Sequence, residues 1–431
     1  MNRTPGPGRG RRALYGAGLL VSLLLVTLCS CSGPASDAEA NERPADRIYR
    51  LDYRVTPDPK AKGAHLELTV KQSAPLLREI DMSLRDGQIS DVDGNGNVST
   101  GNGRVVWTVP ESGGKLRWFA RINNPRNGAT YDAYIERDWA LFRGMDIIPS
   151  ARTRALPDSE SRTRLTFDLP SGWSSVTSYF GRDDIYEINN PERNFDTPTG
   201  WMVLGDIGVR NETIGHVLTK IAGPTGHSIR RMDMLALMRW NLPELLRLLP
   251  NFPARLTFVS AGAPMWRGAL SAPNSVYVHA DRPLISENAT STMLHESVHV
   301  GLGLIAEAGA DWIIEGLAEY YSLEMLRRSG TISEARSRIA RADLEEWGRD
   351  VTELCTRRSS GSNTARAVTL LATVNGEIRK ASGGKADLDD VLAALPELQG
   401  KISVDQFRDI VAAIAGRPVA ALEPGNLPGC E

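Results

Sequence analysis

Two histidines four positions apart, with a glutamate between them, constrain this chain more than any other feature: His295-Glu296-Ser297-Val298-His299 reads H-E-x-x-H. On a helix, residues four apart lie on one face, about one turn from each other. Both imidazoles can then present a nitrogen to one zinc ion, with Glu296 within reach of a water beside it. A catalytic zinc takes three protein ligands and keeps a fourth position open. Glu315, in Trp312-Ile313-Ile314-Glu315-Gly316, is the candidate third ligand. Thr290 to Leu304 contains no proline and reads as a helix through the motif, weakened at its end by Gly301 and Gly303. Asp311 reads as the N-cap of a second helix, Trp312 to Arg328, terminated at Gly330. A short turn between the two would bring Glu315 back over the histidines.

The rest of the chain divides by texture. From Ile48 to about Val209 the apolar residues alternate, as in Tyr49-Leu51-Tyr53-Val55, Leu66-Leu68-Val70, Leu116-Trp118-Ala120 and Leu165-Phe167-Leu169. Period two predicts a mostly antiparallel sheet domain with one wet face. Beyond Glu212 helical patterns take over: Arg231 to Trp240, Pro243 to Leu249, and Ala367 to Ser382. Thr331 with Glu334, and Ser403 with Gln406, fit capping boxes at helix starts. The expected fold class is α+β: a β-rich domain at 48–211, then a mainly α-helical domain at 212–431 carrying the histidine motif.

The first residues read as an address rather than as fold. Arg3, Arg9, Arg11 and Arg12 precede an apolar run from Ala17 to Leu28 that is too short to span a bilayer. Leu28-Cys29-Ser30-Cys31 resembles a bacterial lipobox, with cleavage before Cys31 and lipidation of its thiol. Residues 1–30 are thus expected to be a lipoprotein signal peptide, and 31–47 a flexible tether rich in Ala, Pro and charge. Ser32 after the cysteine points to the outer membrane, with the protein facing the periplasm. Without residues 1–30 the chain has 46 basic against 52 acidic residues, which gives no sign of nucleic-acid binding. Cys355 and Cys430 are then the only cysteines besides Cys31, and an oxidising compartment would allow them to pair.

With both motifs in view, the chain resembles the gluzincin (thermolysin-like) peptidases, and most of all the glycyl aminopeptidase-like family, through H-E-S-V-H and W-I-I-E-G. The resemblance implies that His295, His299 and Glu315 hold zinc, that Glu296 is the general base, and that Glu319 orients a ligand histidine. It also implies a thermolysin-like catalytic domain. Gly268 to Ser275 occupies the place of the family's G-G-L-E-H-x-x-S segment, with Val276 to Ala280 as its edge strand. This makes Gly268, Ala269, Ser271 and Tyr277 candidate substrate-binding residues.

Two departures from the family stand out. Ser271 replaces the glutamate with which the family's exopeptidases hold a free amino group. The tyrosine that the family carries in a Y-x-K-G-like segment, as hydrogen-bond donor to the oxyanion, is expected within Ser362 to Ala365, where none occurs. No tyrosine or histidine follows Tyr321 at all. Asn363, Thr364 and Tyr277 are the substitutes to consider. The expected activity is that of a lipid-anchored zinc metallopeptidase acting on peptide or protein substrates, with a zinc-activated water and Glu296 as base. The alternative is a catalytically impaired zinc-binding pseudopeptidase that binds extended peptides or envelope proteins.

Overall fold

The computed structural model describes residues 47–84, 87–190 and 195–430. The expected signal peptide and Cys31 lie outside the described residues, as does all of the expected tether but Arg47. The described residues belong to one compact unit.

Alternation builds the first half. In Ile48–Asp58 the side chains of Tyr49, Leu51, Tyr53 and Val55 are buried, with more exposed residues between them. This strand pairs antiparallel with Gly63–Lys71 and parallel with Glu160–Phe167, near the middle of a seven-stranded sheet. A four-stranded sheet contributes Ile80, Met82, Val105 and Trp107 to the same core. A five-stranded sheet containing Trp139–Arg143 and Trp201–Gly205 carries the core onward. Every residue of Trp201–Gly205 is buried, because its two faces serve different clusters. Met202 and Leu204 pack towards the first core, while Trp201 and Val203 pack against Tyr277 and Val259. A strand covered on both faces reads as continuous rather than alternating apolar sequence.

A second five-stranded sheet begins at Ile207, so the boundary expected after residue 211 falls inside the strand Ile207–Ile214. Its order is Ile207–Ile214, Val217–Pro224, Arg255–Ala261, Ser275–His279, Ala269–Ala272. The expected edge strand is therefore internal. Ser275–His279 lies between Arg255–Ala261 and Ala269–Ala272, and all five of its residues are buried. The true edge is Ala269–Ala272, one hairpin strand earlier.

The helices follow. Arg231 to Leu248 is one helix running through Pro243 rather than two. Proline there leaves the carbonyl of Arg239 without its partner four residues on, and both Arg239 and Trp240 are exposed, where water can serve it. Helix Glu334–Gly348 is capped by Ser333, not by Thr331, whose hydroxyl instead binds Asn241. Ser403 and Gln406 do form their capping box. Helix Ser362–Ala381 starts five residues earlier than expected, directly after Gly361.

Helix Asp311–Arg328 is buried on nearly every face, as the central helix of a core is. Gly316 makes this possible, since a Cβ there would stand 2.7 Å from that of Ala367 on the neighbouring helix. Glu324, 4% exposed, accepts hydrogen bonds from Arg327, Arg328 and Arg341. Those bonds hold its carboxylate below its usual pKa although burial opposes this. Arg328 also grips Asp389, fixing the last turn of the helix to Leu388–Ala394. Among the described residues no helix is long and apolar enough to cross a membrane.

A disulfide joins Cys355 to Cys430, with Cα atoms 5.0 Å apart and a sequence separation of 75. A loop of that size gives roughly 4 kcal/mol of stabilisation on chain-entropy grounds. The Cys355→Ser/Cys430→Ser double variant should therefore melt at a lower temperature than the parent. Thiol counting on unfolded parent protein should find neither cysteine free.

Candidate metal and catalytic site

Helix Thr292–Leu302 carries the histidines and stops at Gly303, whose positive φ of 62° closes the helix by a bond to the carbonyl of His299. Its start is pinned to the next helix. Ser322 accepts from the backbone N–H of Ser291 and donates to the carbonyl of the same residue. Asp311 lies in the first turn of the second helix rather than at its cap. Glu315 follows one turn later, facing the histidines.

The donor atoms converge. His295 Nε2 and His299 Nε2 are 3.1 Å apart. Glu315 places one carboxylate oxygen 3.3 Å from the first and the other 3.5 Å from the second. Zinc–ligand bonds of about 2.0–2.1 Å in a tetrahedron put ligand atoms roughly 3.3 Å apart, so the spacing fits that ion. Among the described residues this trio is the one group of histidine, cysteine and carboxylate donors close enough to hold a metal. His295 Nδ1 meets Glu319 Oε2 at 2.9 Å. That contact turns Nε2 towards the centre and raises the basicity of the ligand, as carboxylates behind zinc histidines do.

The three groups shift one another's titration. Burial would lower the pKa of His295, but Glu315 and Glu319 outweigh it and raise that pKa well above the usual range. His299 is pushed down by burial and by His295. Glu315 is held low by the histidines against its own burial.

Glu296, 8% exposed, accepts a hydrogen bond of 2.8 Å from the backbone N–H of Ser271. The base is thus tied to the edge strand. His279 N–H donates to the carbonyl of Gly268, and antiparallel pairing then turns the backbone groups of Ala269 and Ser271 outward. Gly268 itself is committed: its N–H binds the carbonyl of Trp266, and a Cβ would stand 1.7 Å from the Trp266 ring. Tyr277 is also a structural residue. Its hydroxyl donates to the carbonyl of Trp266, and its ring lies in the cluster of Trp139 and Trp201. Val276 and Val278, by contrast, share a cluster with Met293, Leu294 and Val298 of the histidine helix. Tyr277 therefore points away from the metal trio. Asn363 donates to the carbonyl of Glu353 and to Thr356. Neither Asn363 nor Thr364 lines the cavities beside the site.

Those cavities flank the trio. One, of about 620 Å³, reaches Glu315 and is walled by Trp201, Trp266, Leu270, Arg126, Asp132 and Arg358. The other, of about 540 Å³, reaches His299 and is walled by Ser271, Pro273, Val300, Leu304 and Ile305. Sequence reasoning missed Arg126, Asp132 and Trp201, because strands far along the chain deliver them.

No family model matches the chain, and no curated protein matches it in sequence. Solved structures do match. One is an aminopeptidase N family protein from Idiomarina loihiensis, with a TM-score of 0.66 and 15% identity over 88% of this chain and 76% of that one. Another is a variant of an M1 zinc metallopeptidase from Deinococcus radiodurans, with a TM-score of 0.53 and 16% identity over 86% of this chain and 91% of that one. At such identities the likeness shows the fold alone. The fold is α+β, an N-terminal antiparallel β region followed by a mainly helical C-terminal region, and the chain shares it with these proteins.

Purified protein should contain one zinc per chain by elemental analysis. His295→Ala or His299→Ala should remove it and Glu296→Gln should keep it. Glu319→Gln should weaken it by about 10–100-fold, the usual cost of losing a carboxylate behind a ligand histidine. Full zinc retention by the double histidine variant would contradict the assignment.

Proposed function

We propose that the protein is a zinc metallopeptidase that hydrolyses peptide bonds within extended substrates, anchored to the outer membrane by a lipidated Cys31 and facing the periplasm. One observation carries the activity: two imidazoles and a carboxylate at zinc-ligand spacing, with a buried glutamate beside them and an open cleft on either side. Zinc, when bound, polarises the peptide carbonyl and makes water acidic enough to serve as nucleophile near neutral pH. Glu296 takes the proton from the attacking water and returns it to the leaving amine. Its bond to Ser271 N–H keeps it against the strand on which substrate would lie.

Outward backbone groups of Ala269 and the outward carbonyl of Ser271 suit an added substrate strand, a mode that does not depend on a chain end. Both cavities adjoin this strand, giving room for residues on either side of the scissile bond. Exopeptidase action needs a carboxylate for the substrate's ammonium, because losing its hydration unpaired is costly. Ser271 offers none. Asp132 is already paired with Arg126 at 2.7 Å, and Asp311 accepts from the backbone N–H of Ser359 at 2.6 Å. Both solved relatives are peptidases by name, which accords with the reaction but not with its specificity. The anchoring rests on the sequence of residues 1–32 alone.

Zinc-loaded protein should cleave acetylated, amidated peptides at least as well as free ones, read by mass spectrometry of a digested peptide library. Glu296→Gln should abolish this. Stepwise release of single residues from unblocked peptides only would contradict internal cleavage and turn attention to Asp311. Zinc binding with no cleavage of any peptide would favour a peptide-binding protein instead.

A further inference from the structure

We propose that Arg358 is the hydrogen-bond donor to the oxyanion that develops as the peptide carbonyl is attacked. The proposal rests on the peptidase reading and deepens it. In that reaction the water oxygen bonds to the carbonyl carbon while the C=O π pair moves onto oxygen. The C–N bond then breaks, the oxygen pair re-forms the carbonyl, and the proton taken by Glu296 goes to the amine nitrogen. One water is consumed, and a carboxyl and an amine result. The charge on that oxygen in the tetrahedral stage needs a preorganised donor beyond the metal, and losing such a donor typically costs 10²–10³ in rate.

The available donors can be taken in turn. Tyr277 faces the opposite side of its sheet and gives its hydrogen bond to Trp266. Asn363 spends its amide on Glu353 and Thr356. Of the arginines in the cavity that reaches Glu315, Arg143 grips Asp146 through two nitrogens and Arg126 is paired with Asp132. Arg358 lines the same cavity, and among the described residues its side chain has no hydrogen-bond or ion-pair partner. A guanidinium offers five donors and stays charged at any relevant pH.

Its position is built. The backbone N–H of the next residue, Ser359, is held at 2.6 Å by Asp311, which sits one helical turn before Glu315. An arginine side chain is long enough to cross that turn of about 5.4 Å. Behind the loop, Cys355 is tied to Cys430 and the N–H of Leu354 to the carbonyl of Pro428. Ser359, only 6% exposed, borders the same cavity, and its hydroxyl is buried with no partner among the described residues. The early start of helix Ser362–Ala381 puts 362–365 in its first turn. The segment leading into that helix is then Arg358-Ser359-Ser360-Gly361, with arginine three residues before the glycine.

The test uses the full zinc-loaded protein and two probes: an acetylated alanine-rich peptide amide, and its phosphinic counterpart, whose tetrahedral PO₂ group stands for the intermediate. Arg358→Gln should lower kcat by roughly 10²–10³-fold with KM little changed. It should lower affinity for the phosphinic probe by a similar factor in calorimetry, while the ordinary peptide binds Glu296→Gln protein equally with or without the arginine change. Arg358→Lys should recover part of both. Equal phosphinic affinity in parent and Arg358→Gln proteins, each folded and zinc-loaded, overturns the proposal. So does a loss confined to peptides with Asp or Glu beside the scissile bond, which would make Arg358 a side-chain selector. Absence of cleavage by zinc-loaded parent despite phosphinic binding counts against the peptidase reading and leaves this comparison able to decide on Arg358.

Discussion

The contact between helix Thr292–Leu302 and helix Asp311–Arg328 carries the whole site. It sets two half-buried imidazoles against two carboxylates, Glu315 and Glu319, in surroundings where unpaired charge is expensive. The chain holds them there with ordinary core packing: Met293, Leu294 and Val298 on one helix meet Leu317, Ala318 and Tyr321 on the other. Ser322 fastens the start of one to the body of the other, and the ions around Glu324 fix the far end. Site geometry and fold stability therefore depend on the same interface.

Around this pair the fold supplies a cleft by layering. The strand Trp201–Gly205 serves two cores at once, and Trp201 both packs against Tyr277 and donates its indole N–H to the carbonyl of Leu270 on the edge strand. The β-rich first half thus takes part in the site, supporting the strand on which a substrate would lie and lending Arg126, Asp132 and Arg143 to one cavity. On the other wall the disulfide-bound loop presents Arg358 and Ser359. The two walls meet across the metal trio, and neither would form a site alone.

Much of this was legible in the sequence, and the reasons differ by residue. His295, Glu296 and His299 follow from helical spacing, a strictly local rule; Glu315 needed a short turn between two helices and Glu319 the family resemblance; the α+β layout follows from the change of period near residue 210. The edge strand was misread because Ser275–His279 and Ala269–Ala272 form one hairpin, and only the pairing of Arg255–Ala261 decides which arm is covered. Gly268 and Tyr277 were expected to meet substrate, yet they serve Trp266, a partner that no spacing rule names. The family tyrosine's place was expected within Ser362 to Ala365 because Ser362, Asn363 and Thr364 look like loop residues. Packing of Ala365, Ala367 and Val368 draws them into the helix, a tertiary effect that local propensity does not contain. Lipidation at Cys31 depends on cellular machinery, and those residues lie outside the described ones.

The central claim is that His295, His299 and Glu315 share one zinc ion. X-ray absorption at the zinc edge of purified protein tests it most directly. The account predicts a four-coordinate first shell of nitrogen and oxygen at about 2.0–2.1 Å, with the outer scattering of two imidazoles and no sulfur; His299→Ala should reduce this to one imidazole. A six-coordinate oxygen shell without imidazole scattering, or a shell unchanged by the histidine substitution, would contradict it.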